Sequence, residues 1–104
     1  MVDHAVRAWA KKEAVRHPEL LRLGYFGSYA RDDWGVGSDL DLLAIVDQAS
    51  ESFERRSLTW DLSHLPVPTE IIVYTDNEWR NLLGKGGKFT HALENEVIWI
   101  YVRH

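Results

Sequence analysis

The sequence predicts a single α/β domain of the α+β kind, residues 1–104, with a mixed sheet of about four strands and flanking helices. Three observations predict it. Helix-spaced and strand-like apolar segments alternate along the whole chain. One strand-length run is continuously apolar, the pattern of a strand buried on both faces. No repeat, linker or low-complexity tract divides the chain, and 104 residues leave room for one core.

From Asp3 to His17 the apolar residues Ala5, Val6, Trp9, Ala10 and Ala14 recur at helical spacing, and Pro18 ends the run. Leu20 to Phe26 reads as a strand. Gly27-Ser28 closes it, with Ser28 suited to cap a short helix through Tyr29, Ala30 and Arg31. Asp32 to Ser38 holds two glycines and reads as a tight loop. Asp39 to Val46 is polar at its start and apolar afterwards, as a central strand is. Ser52 to His64 carries Phe53, Leu58, Trp60 and Leu62 among charges and reads as a helix, which Pro66 and Pro68 break before a strand from Val67 to Tyr74. Thr75 or Asp76 caps a helix from Asn77 to Leu83. Gly84 to Lys88 is a turn, a short helix runs on to Asn95, and Val97 to Val102 is the last strand.

Composition narrows the function. An apolar share of 45% with five tryptophans belongs to a folded globule. Twelve Lys and Arg against 16 Asp and Glu give a net charge of −4, which disfavours nucleic acid and anionic lipid as partners. The absence of cysteine excludes disulfides and thiolate metal sites. Charges interrupt the N-terminal apolar residues, and no apolar run reaches the ~18 residues of a membrane span, so a soluble cytoplasmic protein is expected.

Chemistry gathers at Gly27-Ser28 and Asp39-Leu40-Asp41. A glycine at a strand end lets backbone approach a phosphate, and the helix that follows offers unpaired N–H groups. Ser28 adds a hydroxyl. Arg31, one helical turn on, either reaches the same anion or pairs on the surface with Asp32 or Asp33. Asp39 and Asp41, two apart on a strand, project their carboxylates from one face, where they repel each other and invite a hard divalent cation such as Mg²⁺. Glu70 is the third acid, set among Val67, Ile71, Ile72 and Val73. It either joins the pair or snorkels to an exposed edge. The connection from Asp47 to Pro66 is long enough for a crossover, and a parallel pairing then brings Glu70 beside Asp39 and Asp41. The short Ser28–Ser38 link favours an antiparallel first strand, which ends with Gly27 at the same edge. A phosphate cradle beside metal-binding carboxylates is what phosphoryl or nucleotidyl transfer requires.

The string GSYARDDWGVGSDLDLL, the later Thr69-Glu70-Ile71 and the ending from Leu93 to Tyr101 resemble minimal nucleotidyltransferases of the DNA polymerase beta-type superfamily. The resemblance spans nearly the whole chain. It implies that Gly27 and Ser28 hold the β- and γ-phosphates of ATP or another NTP. It also implies that Asp39 and Asp41 bind two Mg²⁺ ions, and that Glu70 completes one metal site and helps activate the attacking hydroxyl. The base-binding helical domain of larger members is missing. Many minimal members resemble antitoxins paired with a helical HEPN-type toxin, which such antitoxins modify by moving AMP to a tyrosine. A HEPN-type partner or a homodimer is therefore expected, because Val97 to Val102 is apolar on both alternating faces.

Blander readings apply elsewhere. Trp34 in the glycine loop pins the loop to the core rather than stacking on a base, and Trp9, Trp60, Trp79 and Trp99 are core or interface residues. Gly84-Lys85-Gly86-Gly87 lacks the upstream glycine and the Ser or Thr of a phosphate-binding P-loop. The five histidines show no ligand spacing. A non-catalytic module that binds nucleotide, or silences a partner by contact, is the alternative to an enzyme. Intact Gly-Ser and three acids favour the enzyme.

Overall fold

The computed structural model describes residues 2–33, 35 and 37–103. The chain runs α1 (Val2–Arg16), β1 (Leu20–Phe26), α2 (Ser28–Arg31), β2 (Leu40–Val46), a 3₁₀ helix (Phe53–Thr59), β3 (Thr69–Thr75), α3 (Asp76–Gly84), α4 (Lys88–Glu96) and β4 (Ile98–Val102). One mixed sheet has the order β3-β2-β1-β4, with β1 antiparallel to both β2 and β4, and β2 parallel to β3. Both expected pairings are present, and the central position of β2 accounts for its unbroken apolar run. Among the described residues no helix is long and apolar enough to cross a membrane.

Two apolar layers clasp the sheet. Leu40, Leu42, Ala44 and Val46 of β2 pack with Val6, Trp9 and Ala10 of α1, while Leu43 and Ile45 point the other way onto Trp79 of α3 and Leu93 of α4. Trp9, Trp60 and Trp79 are buried and Trp99 is half-buried. The reading of Trp34 falls outside the described residues. Asp3 in the first turn of α1 and Arg16 in its last suit the helix dipole. Thr75 caps α3 with a reciprocal capping box to Glu78.

Three local expectations need correcting. Ser52–His64 is not an α-helix; only Phe53–Thr59 is helical, and it is 3₁₀. The segment has no apolar stripe to bury, since Phe53 and Leu58 are 46% and 73% exposed. It is held instead by Arg56, which donates to Glu51 O, Val73 O and the Glu78 carboxylate. Ser28 does not cap α2: Gly27 occupies the N-cap, and Ser28 is the first helical residue. Val97 caps α4 through its N–H to Leu93 O, so β4 begins one residue later than expected.

Gly24 permits a close approach of β4 to β1. A Cβ there would stand 2.7 Å from Ile98 O and 2.8 Å from Val97 Cγ2, where the β1–β4 register shifts. Backbone cannot yield as a side chain can, so Gly24→Ala should lose about 2 kcal/mol, the scale of overpacking a tight site. Chemical denaturation checks this; wild-type stability would mean β4 is not seated so closely.

Candidate active site

The site lies at one edge of the sheet, where three strands present one rung. Phe26 of β1 stands opposite Asp41 of β2, and Asp41 stands opposite Glu70 of β3. Asp41 shares its sheet face with Leu43 and Ile45, so the acids open on the side covered by α3 and α4. Asp39 precedes β2 by one residue, near enough for its charge to act on Asp41, and Leu40 N–H ties this corner to Pro68 O at 2.8 Å. Asp41 is half-buried, whereas Asp39 and Glu70 are exposed.

Gly27 closes the other side of Asp41. Its φ of 78° and ψ of −152° fall in a region open essentially to glycine alone. A Cβ on Gly27 would stand 2.6 Å from Asp41 Oδ2. The turn expected to meet phosphate and the acid expected to meet metal are therefore in direct contact. The glycine serves both its backbone conformation and that closeness.

Electrostatics mark Asp41 as the centre. Burial pushes its carboxyl up from the usual range, the negative charges of Glu70, Asp39 and Glu96 push it further, and Arg31 partly offsets them. This rim has a surplus of hard oxygen donors beside Arg31, which is the donor chemistry Mg²⁺ takes. The residues thus fit a divalent metal in character. They do not form a ready cage: among the described residues no three His, Cys, Asp or Glu side chains are grouped closely enough to hold one ion. Like charges repel, and Asp39 and Glu70 face solvent.

Arg31 does pair with Asp33 (Nε to Oδ2, 3.2 Å), as the surface alternative had it. Its stronger partner is one that sequence reasoning missed. Glu96, at the end of α4, accepts from Arg31 Nη1 at 2.8 Å and from Gly27 N–H at 2.8 Å. These two contacts hold its carboxyl below the usual range, Arg31 foremost. Glu96 lies 69 residues from Gly27, and no local pattern joins them. A cavity of about 480 Å³ opens on the α1 side, lined by Val2, Asp3, Ala5, Tyr25, Tyr29, Asp32 and Pro66; none of the three acids lines it. The three acids lie on an open rim instead.

Residues 8–97 match the family model of the nucleotidyltransferase domain. No curated protein matches the chain. Among solved structures, a candidate nucleotidyltransferase from Sulfolobus solfataricus is 19% identical and superposes with a TM-score of 0.68, over 98% of this chain and 81% of that one. At that identity the likeness is one of fold.

Proposed function

Because this chain belongs to the nucleotidyltransferase domain family, we propose that it is a Mg²⁺-dependent enzyme that moves AMP from ATP to a hydroxyl. The acceptor is a tyrosine of a helical HEPN-type partner, and the setting is the cytoplasm. The observation that supports the reading is the rung Phe26–Asp41–Glu70 with Gly27 close against Asp41.

Each residue has a part in that reading. Gly27 and Ser28 approach the β- and γ-phosphates, and Arg31 adds a guanidinium to the same oxygens. Asp39, Asp41 and Glu70 are the residues that would hold two Mg²⁺ ions, which supply charge neutralisation of the triphosphate and orientation of its α-phosphorus. The acceptor oxygen forms a bond to that phosphorus, the bond to the bridging oxygen of pyrophosphate breaks, and the hydroxyl proton leaves toward Glu70. Positioning and electrostatics carry most of the rate.

The edge position of β4 supports a partner. Ile98, Trp99, Ile100 and Tyr101 are only half-buried, and Val102 is 44% exposed on a strand with one side unpaired in the sheet. A homodimer would cover the same edge. Co-expression with the neighbouring reading frame, followed by intact-mass measurement of the partner, is the test. A mass gain of AMP that requires Asp39 and Asp41 is expected. A tight complex with an unmodified partner under ATP and Mg²⁺ would transfer the case to the binding-module alternative.

A further inference from the structure

Glu96 holds two of the donors that a triphosphate needs. Its Oε2 takes Gly27 N–H and its Oε1 takes Arg31 Nη1, each at 2.8 Å. A carboxylate gripped by one backbone amide and one guanidinium is bound as a phosphate oxygen pair would be. Glu96 is the last residue of α4, where the helix dipole disfavours negative charge. It also adds to the negative field that raises Asp41. Its side chain is 26% exposed, so part of it meets solvent.

From these contacts we infer that Glu96 is an internal occupant of the phosphate cradle, displaced when the nucleotide arrives, and that it sets the affinity threshold of the site. The inference rests on the nucleotide reading above. A phosphate chain and the Glu96 carboxylate cannot share Gly27 N–H and the same face of Arg31, since two anions in contact repel. A polyphosphate carries several charges and outcompetes the single carboxylate; a weakly charged anion does not. Once displaced, Glu96 is free to turn from the rim at the α4–β4 junction.

The test is Glu96→Gln, which keeps size and removes the charge. Titration with a non-hydrolysable ATP analogue and Mg²⁺ should show affinity rising about fivefold, the scale of one half-exposed ion pair. KM for ATP should fall. In an Arg31→Ala background the same substitution should gain less, because part of the competition is gone. Unchanged or weaker binding by E96Q overturns the inference, a weaker one meaning that Glu96 organises the cradle. Should E96Q fold poorly, the wild-type protein still decides: the carbon-13 carboxyl resonance of Glu96 must move as the analogue saturates, and a static resonance overturns the inference. Absence of analogue binding to wild type and E96Q alike overturns the nucleotide reading itself, and this inference with it.

Discussion

Asp41→Asn is expected to abolish nucleotidyl transfer and, in metal-free buffer, to raise the melting temperature. Both halves come from one fact: Asp41 is a half-buried acid pressed by Glu70, Asp39 and Glu96. A carboxyl whose folded pKa is raised costs stability at every pH where it is charged in the fold. That cost is relieved as pH falls through the raised folded value toward the ordinary 3.8. Asparagine keeps the shape and never carries the charge, so the variant's advantage is full at neutral pH and shrinks on acidification. Mg²⁺ should reverse the order, because the wild type alone gains from binding it. Losing an acid proposed to hold metal should cost several kcal/mol of barrier, about a thousandfold or more in rate. Asp39→Asn should lose transfer equally, since its charge acts on Asp41 at the same corner. Transfer of label from α-labelled ATP and thermal melts with and without Mg²⁺ are the measurements. Wild-type-like transfer in both variants would falsify the two-metal reading, and a metal-free Asp41→Asn that melts below wild type would remove its electrostatic premise.

What the sequence discloses depends on how far each determinant reaches along the chain. Leu20–Phe26 is readable to its ends because Pro18 and Gly27 punctuate it, and the observed strand has those bounds. The parallel pairing of β2 with β3 follows from the length of the crossover, and with it the placement of Glu70 opposite Asp41. That rung needs only two strands and a register set by apolar alternation. The 3₁₀ segment Phe53–Thr59 fails local reading because a tertiary ion pair shapes it, not its own periodicity. Glu96 fails for the same reason at longer range: its partners Gly27 and Arg31 become neighbours only after β4 closes against β1. Arg56 looks like one charge among many in Ser52–His64, and nothing nearby in sequence foretells its burial.

That burial makes Arg56 the site of a large expected stability loss. Its side chain is 11% exposed. Its guanidinium forks onto both oxygens of Glu78 at 2.6 and 3.2 Å, and it also donates to Val73 O and Glu51 O. Through these bonds one side chain fastens the 3₁₀ segment to the end of β3 and to the first turn of α3. Arg56→Ala leaves two carbonyl acceptors and part of a carboxylate without this donor. Removing one member of a buried pair costs about 3–5 kcal/mol, and Glu78 is 40% exposed, so about 3 kcal/mol is expected. In a domain of this size that lowers Tm by roughly 12–20 °C. Glu78→Gln should cost less, since the amide oxygen still accepts from Thr75 N–H in the capping box. The pH dependence is fixed in sign: Arg56 holds the Glu78 carboxyl below its ordinary 4.5. A depressed carboxyl contributes stability that is present above the unfolded value and lost as pH falls through the folded one. The gap between wild type and Arg56→Ala should therefore be widest at neutral pH and narrow in acid. Urea titrations at neutral and acid pH measure it, and a gap below about 1 kcal/mol at neutral pH would show the ion pair to be no more than a surface contact.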